Sequence, residues 1–503
     1  MIRFPSLLKG LSDETLKDLR LSSIEYANLH GILKYTPALQ LATLQHTLLP
    51  SPFPSKSFQL AMSLQKDFNI LYQKVAADHN FLVTTLKPAL AHDPYLASLW
   101  RLYDIEQTLG SVQKIKLSLS RSDYMLHLSN DSPQDMVSRH LAECVMLKQV
   151  EYNLIASSFG GIMERLVRQH QLTLSVLGHD SDNQLPSCPS ATGFGRAIVR
   201  AVEEYCKLLQ SLALSIDKQP AVLVVISPQE TNVFDQRSVE LAVLQLNPTI
   251  KFLRRTFDDL SKVSKRVRCD ENHRLFVDGV EIALVYYRTG YSPDQFRDEE
   301  DWVTKGMLER TLAIKCPSID YLLANTKLVQ TALAQPNVLK RFFGDEKDRI
   351  DNLTSTFAHQ SFLSTDFEFA SKSEIDAIVS DCMQNPSNYV LKPQREGGGN
   401  NIFGDAICAK LRNILGKPEA NTFILMQRLQ PPLVENCVVG LNYPPPIRRS
   451  MVCELGIYGV LLSNGDDIIE NYSSGHLLRS KFFGVDEGGV AAGFACLDTP
   501  YLV

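Results

Sequence analysis

The sequence predicts a mixed α/β protein of two or three structural units, and three observations carry that prediction. The chain has 503 residues, more than one simple hydrophobic core serves. Its first ~140 residues look mainly helical. After them, short β-prone runs alternate with helical stretches, the pattern of α/β units. Composition agrees: 44% apolar and 21% charged residues are ordinary for a globular protein. The net charge of −5 and pI near 6.2 argue against a nucleic-acid partner, which would favour a basic excess. No apolar run reaches the ~18–20 residues of a membrane-spanning helix. Met1–Gly10 has no apolar stretch followed by a cleavage site and reads as a mature cytosolic start. Ten cysteines are scattered without a CxxC pair, which predicts reduced thiols and small core residues rather than a disulfide framework or zinc site.

The elements follow in order. Ser57–His79 places Leu60, Leu64, Phe68, Leu71 and Val75 on one helical face, after the proline-rich LLPSPFPS connection. Cys144–Ile155 alternates as a strand does. Ala221–Ile226 is a buried strand, and the later half of Ser227–Leu246 is helical. Leu275–Tyr287 is a hairpin turning at Gly279. Together Pro220–Ala324 read as a compact α/β unit. Thr326–Phe343 and Ser371–Met383 are expected helices. Strand Tyr389–Lys392 leads into a glycine loop and a helix from about Asp405. Strands Thr422–Arg428 and Ser450–Leu462 precede a glycine- and alanine-rich end.

Four constellations carry chemistry. First, Lys392 ends a strand just before Gly397, Gly398 and Gly399. Consecutive glycines let the backbone bend closely against a ligand, and their N–H groups can face anionic oxygens. Lys392 and Arg395 add positive charge, Glu396 a hard oxygen for Mg²⁺, and Asn400 and Asn401 side-chain donors. A flexible linker is the plainer alternative, but linkers do not ordinarily join a strand to a helix with Lys, Arg and Glu interleaved. The spacing is not that of a Walker P-loop.

Second, Glu151 and Asn153 share a strand face and offer two oxygens, enough with Glu396 for an Mg²⁺ that takes its other ligands from phosphate. An edge-strand polar pair is the alternative. The small-residue turn Ala156–Gly161 follows and could hydrogen-bond a peptide-like substrate. Third, Arg479 and Lys481 precede the loop Glu487–Gly493, a setting for an anionic ligand or else a solvated basic pair. Fourth, Arg288–Tyr291 sits at a strand end, and Arg121–Tyr124 is similar; an Arg–Asp structural bridge is the alternative for either.

These residues resemble a known family. KPQREGGGNN (Lys392–Asn401) is similar to the glycine-rich signature of eukaryotic glutathione synthetases. RSDYM (Arg121–Met125), NVFDQR (Asn232–Arg237), VYYRTGY (Val285–Tyr291), KCPSI (Lys315–Ile319), ELGIYG (Glu454–Gly459), LLRSK (Leu477–Lys481) and EGGVAAGFACLD (Glu487–Asp498) match in order. The RTGY and EGGVAAGF wordings resemble fungal-type members.

The resemblance implies an ATP-grasp fold with a helical N-terminal region and first part of the core over residues 1–219. It also implies an inserted α/β substrate-binding domain over 220–325 and the ATP-grasp domain with its lid over 326–503. It implies a cytoplasmic homodimer that ligates γ-glutamylcysteine to glycine with ATP and Mg²⁺. Residues matching Glu151, Asn153 and Glu396 bind Mg²⁺. Those matching Lys327, Lys392, Pro393, Gln394, Arg395, Glu396, Gly397, Gly398, Gly399, Asn400, Asn401, Phe403, Met426, Gln427, Arg428, Leu429, Glu454, Lys481 and Glu487 surround ATP. Those matching Arg121, Ala156, Ser157, Ser158, Glu230, Asn232, Gln236, Arg288, Tyr291, Arg479, Val490 and Ala491 line the peptide site. Lys327 and Lys392 would counter phosphate charge; Arg479, then Arg121, would stabilise the oxyanion. The glycine loop and the Glu487–Gly493 loop would be the lids.

Departures from the family pattern fall at Gln427 (usually Glu), Phe403 (usually Tyr), Leu154 (usually Thr) and Ala156 (usually Ser). A ligase for another amine acceptor, or a non-catalytic nucleotide-binding paralogue, are the alternatives.

Overall fold

The computed structural model describes residues 3–128, 144–179, 183–395, 399–440, 447–486, 488–490, 493 and 495–503. Its centre is a mixed sheet of thirteen strands. Strand Ile115–Leu128 pairs antiparallel on one side with Val145–Asn153 and on the other with Arg448–Asn464, which pairs in turn with Asp467–Phe482. The same sheet runs on through Ile314–Cys316, Val280–Tyr287, Ala221–Val225 and Phe252–Arg255 in parallel. The junction between the two halves is one registered pair, Lys315 opposite Lys116.

Two of these long strands depart from the sequence reading. Ile115–Leu128 lies in the stretch expected to be mainly helical, and Asp467–Phe482 has no element in that reading. In the first, Ile115, Leu117 and Leu119 join one core, while Tyr124 and Leu126 join another. Burial on both faces blurs the polar/apolar alternation that marks a half-buried strand. Short strands at Leu33–Tyr35, Leu41–Thr43, His46–Thr47 and Ser51–Phe53 also break up the N-terminal region.

The expected long helix does form, over Ser55–Ala77. It packs across the sheet, where Tyr72 stacks on Tyr152 with ring centroids 4.0 Å apart and planes 8° from parallel. Side chains of that helix press on the strand backbone there: a Cβ on Gly459 would lie 2.3 Å from Gln65 Nε2 and 2.4 Å from Asn69 Oδ1. Only glycine fits that contact.

A second, four-stranded antiparallel sheet holds Gln360–Phe362, Phe423–Gln427, Tyr389–Pro393 and Ile402–Phe403 in that order. Helices Lys372–Gln384 and Asp405–Ile414 share with it a small core of their own, including Ile378, Leu391, Ile407 and Leu425. The helix expected over Thr326–Phe343 is instead two, Lys327–Leu333 and Lys340–Phe343. Pro336 lacks an N–H to continue the ladder, and Asn337 adopts φ 65°, a left-handed conformation that ends a helix. The hairpin reading holds: Leu275–Val277 and Val280–Tyr287 turn at Gly279, φ 77°. Among the described residues no helix is long and apolar enough to cross a membrane.

Candidate active site

The two sheets face each other across a cavity of about 890 Å³. Its walls bring together residues far apart in sequence: Arg121, Glu151 and Asn153, the Ala156–Ser158 turn, Tyr291, Lys327, Lys392, Arg395 and Asn401. Phe403, Met426, Gln427, Arg428, Leu429, Glu454, Arg479, Lys481 and Val490 complete the expected set on the walls. Cations outnumber carboxylates along the lining, as a site for polyphosphate needs.

Strand register makes the arrangement. Glu151 lies opposite Asp123, and Asn153 opposite Arg121. Asp123 lies opposite Gly456, and Glu454 opposite Arg479 on the next strand. Directly paired residues share a face, so this set projects to one side. Arg121 grips Asp123 through Nε (2.6 Å) and Nη2 (2.8 Å). Nη2 of Arg479 donates both to Asp123 Oδ2 (3.0 Å) and to Glu454 Oε1 (2.5 Å). The amide nitrogen of Asn153 donates to Asp123 (3.0 Å) and Glu151 (3.4 Å). The Arg–Asp bridge, the alternative reading for Arg121, is therefore present, and within the cavity wall rather than apart from it.

Charge follows this packing. Burial pushes the Glu151 carboxyl upward, but Lys327, Lys392, Arg479 and Arg121 together hold it below the usual carboxylate range, so it stays an anion. For Glu454 burial wins over Arg479, and nearby Asp123 and Glu151 add to the upward push. Burial opposes charge on Arg121 and Arg479, yet their carboxylate neighbours raise both above the ordinary value.

Lys392 comes from the second sheet, Lys327 from a helix beside it, and Lys481 from the end of Asp467–Phe482 in the central sheet. Lys392 Nζ donates to Val150 O at 3.3 Å, and Lys327 Nζ to Arg395 O at 2.6 Å. Lys481 Nζ reaches Asp486 O at 2.5 Å. Arg428 pairs with Asp486 at 2.6 Å and lies over the Phe403 ring, 5.5 Å from its centroid. The ring that stands in place of a usual Tyr thus keeps a packing role.

Four expected peptide-site residues are not on the cavity wall. Arg288 lies behind the Ala156–Ser158 turn, donating to Ser157 O (3.2 Å) and Ser158 Oγ (3.1 Å). Glu230 accepts from Asn232 N–H, Asn232 donates to Asp235, and Gln236 accepts from Arg254. Among the ATP-site expectations, Gln394 faces away to accept from Leu328 N–H, while Pro393, Gly399 and Asn400 do not line the wall. Glu396, Gly397, Gly398, Glu487 and Ala491 lie outside the described residues.

Two aspartates organise the site without having stood out as site residues in the sequence. Asp123 sits in the RSDYM motif, and its placement two residues from Arg121 was the available signal. Asp235 accepts from the N–H groups of Phe159 and Gly161, both at 2.7 Å, and fixes a turn in which Ala156 and Phe159 adopt left-handed φ values of 50° and 73°.

Among the described residues no group of three or more His, Cys, Asp or Glu is placed to hold a metal. The Glu151–Asn153 pair suits Mg²⁺ instead. The Asn153 amide nitrogen is directed at the Asp123 and Glu151 carboxylates and the Arg121 carbonyl, so its oxygen is left for a ligand. Two hard oxygens are what Mg²⁺ takes from a protein when phosphate supplies the rest.

Comparison with known proteins agrees. The family model described as "Eukaryotic glutathione synthase, ATP binding domain" matches residues 13–502. The chain is 35% identical over 500 residues to a glutathione synthetase of Rattus norvegicus, covering 98% of each chain. It is 35% identical over 500 residues to one of Homo sapiens, covering 97% of this chain and 98% of that one. A chloroplastic glutathione synthetase of Solanum lycopersicum is 32% identical over 474 residues, 93% of this chain and 79% of the relative. The fold matches a solved apo structure of a glutathione synthetase-like effector from Globodera pallida over the full length of both chains, with TM-score 0.76 at 22% identity.

Proposed function

The chain belongs to the eukaryotic glutathione synthase family, and from that premise we propose how its cavity performs the ligation. The reaction is the ATP- and Mg²⁺-dependent joining of γ-glutamylcysteine to glycine, giving glutathione, ADP and phosphate. The observation that carries the residue roles is the meeting in one cavity of Glu151, Asn153, Arg121, Arg479, Glu454, Lys327 and Lys392.

The dipeptide carboxylate attacks the γ-phosphorus of ATP, anion against anion. Lys392 and Lys327 lower that barrier by countering the phosphate charge. Glu151 and the Asn153 oxygen, with Glu396, would hold Mg²⁺, which when bound neutralises phosphate oxygens. The low Glu151 pKa keeps its carboxylate ready as a ligand. The β,γ-bridging P–O bond breaks, ADP leaves, and the product is an acyl phosphate. The glycine amine attacks its carbonyl carbon, and phosphate leaves. Arg479 stabilises the tetrahedral oxyanion: its Nη2 is held by two carboxylates, which directs the rest of the fork at the cavity, and Arg121 assists. Arg288 shapes the Ser157–Ser158 turn that receives the peptide; Tyr291 and Val490 stand on the same wall. Glu230 and Asn232 support this turn through Asp235, and Gln236 anchors Arg254 beside them. Met426–Leu429 and Phe403 form the adenine wall. Gln427 puts an amide where relatives carry a carboxylate, so nucleotide contacts are where this member differs.

Lys392→Ala tests the assignment: turnover with γ-glutamylcysteine, glycine and ATP·Mg²⁺, read as ADP release, falls by orders of magnitude while the fold is kept. Near-normal activity sinks the phosphate role. Supplying β-alanine or serine in place of glycine with the same readout tests the acceptor.

A cytoplasmic, fungal-type homodimer completes this reading. Leu21 and Leu29 on Asp13–Leu29, Leu41 on Leu41–Thr43, and Leu172 and Val176 on Met163–Val176 are exposed on elements that pack against one another, apolar surface that a second copy would cover. Sedimentation equilibrium at micromolar protein checks it; a monomer would refute it.

A further inference from the structure

We propose that Asp123 is a positioning residue for the reaction: its one carboxylate fixes the orientation of the Asn153 amide and holds Arg121 and Arg479 in place together. Asp123 is fully buried, so it touches no substrate and acts only through these neighbours. Oδ1 accepts from Arg121 Nε at 2.6 Å. Oδ2 accepts from three groups at once: Arg121 Nη2 at 2.8 Å, Arg479 Nη2 at 3.0 Å and Asn153 Nδ2 at 3.0 Å. Each of the three lines the cavity.

The Asn153 contact matters most, because an amide has two ends of similar shape and opposite chemistry. Were it turned, the NH₂ would face the cavity and could not ligate a cation. An acceptor-only group opposite its nitrogen is the simplest way to forbid that. The Asp123 carboxylate, which also accepts from two guanidiniums, is such a group. Glu151 accepts weakly from the same nitrogen, at 3.4 Å. The sheet is built around this carboxylate. Gly456 lies directly opposite on the next strand, and a Cβ there would fall 2.8 Å from both Asp123 Oδ1 and Arg121 Cδ. Any side chain at 456 would displace the pair.

The inference rests on the reading of Glu151 and Asn153 as Mg²⁺ ligands, and the test separates the two. Asp123→Ala removes every acceptor this carboxylate offers. Arg121 Nη2 and Arg479 Nη2 then lack it, and the Asn153 amide turns its oxygen to them. Outer groups that orient metal ligands typically contribute about 10–100-fold in affinity. The expected result is therefore a Kd for Mg²⁺·ADP, by calorimetry on the full-length protein, raised at least about tenfold; the melting temperature of the ligand-free protein falls, because two buried guanidiniums lose their shared partner. Adding Asn153→Asp should restore binding to within about threefold. The carboxylate then at position 153 accepts from the two guanidiniums with one oxygen and offers the other to the cation. In the wild-type background Asn153→Asp should instead weaken binding, because two carboxylates then face each other, and this non-additivity is the signature of direct coupling.

Wild-type Kd in Asp123→Ala, or a loss that Asn153→Asp does not rescue, overturns the inference. Wild-type Kd in Asn153→Ala overturns the metal reading itself. Should Asp123→Ala not fold, Gly456→Ala displaces the same pair without changing charge: a raised Kd supports the inference, and unchanged binding refutes it.

Discussion

Replacing Arg479 separates what its charge does for the fold from what its fork does for the reaction. One nitrogen, Nη2, bridges Asp123 at 3.0 Å and Glu454 at 2.5 Å, and the side chain is 14% exposed. In Arg479→Ala both carboxylates lose this cation. Asp123 retains Arg121, but among the described residues Glu454 has no other ion pair. Removing one partner of a buried pair costs about 3–5 kcal/mol. Lysine keeps a charge that can sit between the two carboxylates, so Arg479→Lys should lose much less stability. Its single ammonium cannot also reach the reacting carbonyl. Loss of one oxyanion donor costs about 2.7–4 kcal/mol, or 10²–10³ in kcat. Both variants should therefore lose turnover to a similar degree, while only the alanine variant shows the large drop in denaturant midpoint. Coupled ADP release and urea unfolding measure the two. An Arg479→Lys enzyme with turnover within about threefold of wild type would refute the oxyanion role.

Other predictions address the turn, the close contact and the response to acid. Arg288→Ala should chiefly raise the KM for γ-glutamylcysteine, since Arg288 supports Ser157 and Ser158; a change confined to ATP affinity would contradict this. Gly459→Ala should lower stability by about 1–3 kcal/mol, because the methyl would overlap Gln65 and Asn69; an unchanged unfolding midpoint would contradict that. His46, His170 and His476 are buried, and burial lowers their pKa values to about 4, 3 and 3. Unfolded histidines protonate near ~6.5, so stability present above that pH is lost as pH falls toward the folded values. At pH ~5.5 the three together should cost about 4 kcal/mol relative to pH ~7.5. Asp498 works the other way. Burial raises its carboxyl to about 6, so the folded state gains a proton before the unfolded chain does. That returns about 1 kcal/mol, leaving a net loss of about 3 kcal/mol. Denaturant midpoints that do not move between these pH values would contradict the assignment.

Much of the site was legible because each piece is local. Lys392 at a strand end before glycines, the two-residue spacing of Glu151 and Asn153, and Arg479 with Lys481 are patterns that one element displays by itself. Elements with one buried face or a clear turn were legible for the same reason, as at Ser55–Ala77 and the Gly279 hairpin. Ile115–Leu128 was not, since with both faces covered its residues need not alternate. The helix break at Pro336–Asn337 is a local signal too, though the helical pattern on either side of it masks the stop.

Residue order alone was enough for the family, the reaction and most of the charged residues on the cavity wall, because motif residues are set by the ligands they meet. It could not show that Arg288 stands behind the wall instead of on it, or that Asp123 is the common partner of Arg121, Asn153 and Arg479. The second fact depends on register across the Val145–Asn153, Ile115–Leu128, Arg448–Asn464 and Asp467–Phe482 strands, three adjacent pairings that bring residues 121 and 479 to one carboxylate. A carboxylate has no charge partner until the sheet closes around it, and which cations it receives is decided by strand pairing over hundreds of residues, not by its neighbours in sequence.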